Sequence, residues 1–82
     1  MPYQVPSYDN RVGRIKHVDD IARQTDLAKA YLLRLRRALK NAELLQEKID
    51  IQSAIKQAEI VLRKLRLSVF DLEDSLLKTA QS

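Results

Sequence analysis

The fold is decided by the stretch AELLQEKIDIQSAIKQA, residues 42–58, because the spacing of the apolar residues changes phase within it. Before this change, apolar side chains recur at alternating steps of three and four residues from Val18 to Ile49, with two polar exceptions. After it, the same spacing runs from Ile51 to Leu76. Such spacing places a narrow apolar stripe along one side of a helix, and the stripe must be buried against another helix. The sequence therefore predicts an all-α protein.

The change of phase near Asp50 predicts that the chain reverses direction. The second stripe begins two residues out of register with the first, which rotates it by roughly 200° about a helix axis. Insertions of three or four residues, which perturb a coiled coil locally, do not produce that rotation. We expect an antiparallel, coiled-coil-like hairpin with helices at about 18–48 and 51–80, and with Asp50 capping the second helix. One continuous helix is the alternative, since no glycine marks a helix end at the junction.

Leucine and isoleucine side chains at the centre of the two stripes form the predicted helix-packing interface. They are Leu32, Leu35, Leu39, Ile55, Leu62, Leu65, Leu72 and Leu76. Further apolar residues lie off the stripes, namely Leu27, Tyr31, Leu33, Leu44, Leu45, Ile60, Val61, Leu67, Phe70 and Leu77. Two packed helices bury only one stripe each, so an isolated hairpin would leave these side chains in water. We expect oligomerisation or docking onto a partner helix to complete a bundle, unless a third segment or the N-terminal arm covers them.

Residues 1–16 contain both prolines and the only glycine of the chain. Proline fixes its own φ and disfavours helix in the residue before it, so this segment is predicted to be an extended arm. Its Tyr3, Val5 and Tyr8 are candidate contacts, either with a partner or with the helices of the same chain. A disordered terminus is the alternative. The first long helix is expected to begin at residues 16–20, because the negative charges of Asp19 and Asp20 would interact favourably with the positive end of the helix dipole.

Residues 68–71 have the sequence SVFD, an S-x-x-D pattern that is typical of a helix start. A kink or a short third helix from about residue 69 would follow from it. An uninterrupted helix is the favoured alternative, because Val69, Leu72 and Leu76 keep the phase of the second stripe.

The chain offers little material for catalysis. It has no cysteine and one histidine, and it contains no phosphate-binding loop and no zinc-ligand spacing. His17, Asp19 and Asp20 are the only cluster that resembles a metal site, and neighbouring positions on a helix point about 100° apart. We therefore expect no enzymatic activity, no metal, no cofactor and no small-molecule substrate.

Six basic residues form a candidate patch. With a formal net charge of +4, the chain is mildly basic. If the chain turns near Asp50, residue 37 lies opposite residue 63, and a basic belt forms from Arg34, Arg36, Arg37, Lys40, Arg63 and Arg66. Such a belt could contact nucleic-acid phosphates, although aromatic residues for base stacking are few. A solvated face with internal ion pairs, or an acidic protein partner, would use the same residues.

The stretch DIQSAIKQAEIVL, residues 50–62, resembles a helix of the flagellin-export chaperone family. That resemblance implies a small export chaperone or co-chaperone that masks an amphipathic helix of its partner. From the residues alone, we expect a non-enzymatic protein–protein interaction module, a small helical subunit of a larger assembly. No apolar run approaches the ~20 residues that span a bilayer, and no signal peptide is evident, so a cytoplasmic location is expected.

Overall fold

The computed structural model of the chain describes residues 3–81, with side chains described through Lys78. These residues form four helices joined by short connections: α1 (Tyr8–Gly13), α2 (Val18–Asn41), α3 (Leu45–Leu67) and α4 (Val69–Gln81). The predicted all-α class is confirmed. Residues 1–2 of the predicted arm and residue 82 of the predicted hairpin lie outside the described residues.

The two long helices, α2 and α3, pack against each other in antiparallel orientation. Arg36 of α2 forms an ion pair with Glu59 of α3, with 3.3 Å between Nη2 and Oε1, and this pair marks the register. The N-terminal part of α2 lies beside α4, where Val18 and Thr25 approach Val69. A hairpin is therefore present rather than one continuous helix.

The chain reverses at residues 42–44, so the predicted reversal near Asp50 is wrong. Ala42 and Leu44 have extended backbones, with ψ of 135° and 139°. These conformations turn the chain without a positive φ in the described residues, which removes the need for glycine. Asp50 does not cap a helix. It lies inside α3, where its Oδ1 accepts a hydrogen bond of 3.1 Å from Gln46 Nε2.

Ser68 divides the predicted second helix into α3 and α4. Its backbone has φ −96° and ψ 2°, and its N–H donates to the carbonyl oxygens of Lys64 and Leu65. The break places Asp71 in the first turn of α4, where a negative charge is favourable. The expectation of an uninterrupted helix is therefore wrong, and the S-x-x-D pattern indicated the correct alternative.

The direction of the chain changes little at Ser68. The molecule measures 54 Å along its longest axis. A straight helix from Leu45 to Gln81 would have nearly that length at ~1.5 Å per residue. We infer that α4 continues roughly along the axis of α3, and that the two form one long side of the hairpin.

The core lies between α2 and α3. Ile51 and Leu65 of α3 are completely buried, and between them Ala54 and Ala58 present small side chains to α2. Small residues at a helix contact allow the two axes to approach closely. The remaining members of the core are Ala28, Leu32, Leu35, Ala42, Val61 and Leu62.

The predicted arm is helical over part of its length, so its description as extended is wrong for residues 8–13. Ser7 caps α1, because its Oγ accepts a hydrogen bond of 3.1 Å from the backbone N–H of Asn10. The prolines restrict only themselves and the residues before them, and Pro6 lies just before this cap. A short helix therefore begins as soon as the restriction ends.

Residues 3–16 lie against one side of the hairpin. Tyr3, Val5 and Tyr8 pack against the core formed by α2 and α3. The hydroxyl of Tyr31 in α2 donates a hydrogen bond of 3.2 Å to the backbone oxygen of Gln4. Of the two contacts proposed for the arm, the structure shows the one with the helices of the same chain.

A buried polar pair connects α1 to α2. Arg11 and Gln24 are both buried, and Arg11 Nη1 donates a hydrogen bond of 3.2 Å to Gln24 Oε1. Burial lowers the pKa of the Arg11 guanidinium, and the nearby Arg14 lowers it further. Because a buried cation without a partner is costly, Gln24 stabilises the docked position of α1.

Asp20 fixes the N-terminus of α2, which begins within the predicted range of 16–20. Its Oδ2 accepts hydrogen bonds from the backbone N–H groups of Lys16 and His17, at 2.9 and 3.0 Å. These two bonds favour the charged carboxylate and hold the pKa of Asp20 below its usual value.

The leucine pair Leu65 and Leu67 provides a matched test of the core. Leu65→Ala removes a completely buried side chain and should lower the free energy of unfolding by about 2–5 kcal/mol. Leu67→Ala makes the same change at a site that is 75% exposed and should change it by less than about 0.5 kcal/mol. Urea denaturation followed by circular dichroism, at a low protein concentration, measures both. Equal losses would contradict the assignment of the core.

Asp20 predicts a specific loss of stability in acid. Because its folded pKa is depressed, its contribution is present above the unfolded value of about 3.9 and is lost as pH falls through the folded value. Asp20→Asn should therefore make the unfolding midpoint less sensitive to pH below about 5. Asp26→Asn makes the same substitution at an exposed position within α2 that caps no helix end, and it is the matched control. Identical acid profiles for Asp20→Asn and the wild type would show that the cap contributes nothing.

Candidate interaction surface

Four large apolar side chains on α3 and α4 lie in water, and we refer to them as the outer row: Ile60, Leu67, Phe70 and Leu77. Their exposed fractions are 52%, 75%, 82% and 53%. Successive members are separated by seven, three and seven residues, so they occupy four of six consecutive positions of one coiled-coil seam, and Arg63 and Asp74 occupy the other two. On a helix, this spacing keeps all four within roughly 100° of one another about the axis.

The outer row faces away from α2. Ile60 and Leu67 each follow a buried residue, Ala58 and Leu65, by two positions. Two residues correspond to a rotation of about 200°, so the row lies on the side of α3 opposite the core. The row therefore lies outside the core, although Leu67 also lines the groove that Leu32 and Arg36 of α2 border.

Charged residues of both signs lie within and beside the outer row. Arg63, Lys64 and Arg66 are exposed near the end of α3, whereas Asp71 and Asp74 are exposed near the start of α4. Asp74 forms an exposed ion pair with Lys78, one helical turn away, at 3.2 Å. Exposed pairs of this kind contribute little stability, so the carboxylate is still available to another cation. The row thus has a basic half and an acidic half.

The side chains of the predicted helix-packing interface differ in burial. Leu32, Leu35, Leu62 and Leu65 belong to the core between α2 and α3. Leu39 and Ile55 are half-buried and pack against that core. Leu72 and Leu76 are half-buried on α4. The eight residues therefore serve mainly the fold of this chain, which leaves other residues to contact a partner.

The six residues of the predicted basic belt do not form one surface. Arg36, Arg63 and Arg66 line a shallow groove between α2 and α3, together with Glu59. Arg36 is engaged with Glu59 there. Arg34 lies two positions before Arg36, a rotation of about 200° that places it on another side of α2.

The remaining two residues of the belt, Arg37 and Lys40, are exposed on α2. Residue 37 does not lie opposite residue 63, because the chain turns earlier than predicted. The ion pair of Arg36 with Glu59 shows instead that residue 36 lies at the height of residue 59 along the hairpin. Instead of a continuous basic belt, the structure has a groove with three arginines, and Glu59 neutralises part of their charge.

The candidate contacts of the N-terminal arm, which were expected either with a partner or with the helices, are made within the chain. Tyr3, Val5 and Tyr8 are half-buried against the hairpin, and a shallow depression between Tyr8 and Ile60 borders one end of the outer row. The arm therefore shapes the edge of the exposed surface, while its own apolar side chains are already partly covered.

The described residues contain neither a cluster of metal-binding side chains nor a helix suited to cross a membrane. Within residues 3–81, no group of three or more histidine, cysteine, aspartate or glutamate side chains is arranged to hold a metal ion. Across the same residues, no helix has both the length and the apolar character needed to cross a bilayer.

Comparison with known proteins finds no matching family model, no matching curated protein and no matching solved structure. The function of this chain must therefore be inferred from its own geometry and chemistry.

Proposed function

We propose that this chain is a non-enzymatic protein-interaction subunit, a small helical piece of a larger assembly. The observation that carries the proposal is the outer row, because four large apolar side chains lie in water although the core is already formed without them. Burying one such side chain is worth about 1.5–3 kcal/mol, so covering the row provides a substantial drive for association.

A helix is the partner that fits the outer row best. The spacing of its members is that of a coiled-coil seam, and such a seam accepts the side chains of another helix between its own. Docking of a helix there would complete a bundle around α3 and α4. An export chaperone that masks an amphipathic helix would use the same surface in the same way, so it is a special case of this proposal.

Site-specific photo-crosslinking tests the proposal directly. A photo-reactive phenylalanine analogue at position 70 should form covalent adducts with protein when the chain is illuminated in the cells that express it. The same analogue at position 29, an exposed lysine of α2, is the control and should give few adducts. Absence of protein adducts at position 70, or equal yields at the two positions, would argue against an interaction function for the row.

The groove lined by Arg36, Arg63 and Arg66 is the surface on which a second candidate function, contact with nucleic-acid phosphates, would depend. Phosphate contacts release counterions, so binding through this groove would weaken steeply as salt rises. Because Glu59 pairs with Arg36, we expect no measurable binding of a labelled single strand by fluorescence anisotropy at low salt. Binding with a steep salt slope, reduced by replacing the three arginines with glutamine, would favour the nucleic-acid function.

A further inference from the structure

We propose that the partner of the outer row is the outer row of a second copy of this chain, packed antiparallel to the first. This inference rests on the proposed interaction function and names the partner. The two-fold axis would pass between Leu67 and Phe70, close to the break at Ser68. Each copy would then present α3 to α4 of the other.

The apolar side chains match under this operation. Reversing the row and laying it on itself pairs Leu67 with Phe70 of the second copy. It also pairs Ile60 with Leu77 of the second copy, because both pairs are centred on the same point of the chain. A two-fold interface requires such self-complementarity, since one surface must serve as both partners. All four members of the row find an apolar neighbour in this register.

The charges favour the antiparallel arrangement over the parallel one. The basic residues Arg63 and Lys64 lie before the axis, whereas the acidic residues Asp71 and Asp74 lie after it. Antiparallel pairing sets the basic half of one copy against the acidic half of the other, and Arg63 then faces Asp74 of the second copy. Parallel pairing in register would place like charges together at both ends, which is unfavourable.

One flanking pair gives the sharpest test of the register. Lys64 and Asp71 are seven residues apart, so they lie within about 20° of each other about the helix axis and occupy the same flank of the row. The two-fold axis runs perpendicular to the helices within the plane of the interface. Rotation about it reverses the direction of the helix but leaves each residue on the same side of the row. Lys64 therefore lies beside Asp71 of the second copy, offset by about 3 Å along the axis. Symmetry forms this contact twice.

The residues of this pair are available for such a contact. Lys64 and Asp71 are both exposed, and the structure records no ion pair for either of them among the described side chains. Stable interfaces bury about 800 Å² on each partner, and one stripe of four apolar residues covers less than that. We therefore expect a weak dimer with dissociation in the micromolar range.

Charge reversal with mixing tests the proposal. Lys64→Glu alone sets glutamate against Asp71 of its copy, and Asp71→Lys alone sets lysine against Lys64. Each variant should dimerise roughly tenfold more weakly than the wild type, because two attractive contacts become repulsive. A mixture of the two variants should form a heterodimer as stable as the wild-type dimer, since both contacts are again between opposite charges. Sedimentation velocity across a concentration series measures all three.

Matched controls separate the register from net charge. Lys29→Glu and Glu43→Lys make the same charge changes at exposed positions away from the outer row and should dimerise like the wild type. Phe70→Ser should abolish the dimer while the helical circular dichroism spectrum is preserved, because Phe70 is 82% exposed.

Two results would overturn the proposal: a wild-type chain that stays monomeric at every concentration, or reversal variants whose mixture dimerises no better than either alone. Failure here is distinguishable from failure of the interaction function. Adducts of position 70 with other proteins, without adducts between two copies, would leave that function standing and refute self-pairing.

Discussion

The whole structure depends on the contact between α2 and α3, in which each helix buries a single stripe. Ile51 and Leu65 are completely buried in this contact, and the small side chains of the alanines between them allow the two helices to approach closely. A helix that buries one stripe has an opposite side, which must be covered by something else or be polar. In this chain the N-terminal segment covers one side of the pair, and α3 and α4 keep apolar residues on another.

The N-terminal segment packs on the hairpin through both apolar and polar contacts. The tyrosines and Val5 supply apolar contact, while the bonds of Arg11 to Gln24 and of Tyr31 to Gln4 satisfy polar groups at the junction with α2. These contacts involve α2 and one flank of α3. On the side of α3 opposite the core they reach only the edge, where Val5 and Tyr8 line a depression with Ile60, so most of the apolar surface there stays exposed.

Much of the core could be predicted from apolar spacing, since the innermost residues of both stripes are buried as expected. The position of the turn could not, because Gln46 and Ile49 continue the first stripe in phase although they belong to the next helix. The turn itself uses extended backbone at Ala42 and Leu44, so it needs neither glycine nor proline, and residues 42–44 contain neither. Ser7 could have indicated the start of α1, but the two prolines before it led to the prediction of an extended segment.

The candidate site was only partly readable from sequence. The exposed apolar residues stand out from the stripes, and their excess predicts a partner. Grouping Leu67 with Phe70 in one row requires that α4 follow α3 along nearly the same axis beyond the break at Ser68, which sequence alone left open. The basic belt depended on the position of the turn, so an error there moved Arg37 away from its predicted neighbour, residue 63.

Methyl nuclear magnetic resonance would show whether the outer row pairs with the outer row of a second copy. Spectra of the isotope-labelled chain would be recorded over a wide range of protein concentration. This self-pairing should produce concentration-dependent shifts at Ile60, Leu67 and Leu77, and none at the exposed Leu33 and Leu44, which lie away from the row. Shifts confined to Leu33 or Leu44, or no shifts at any concentration, would contradict it.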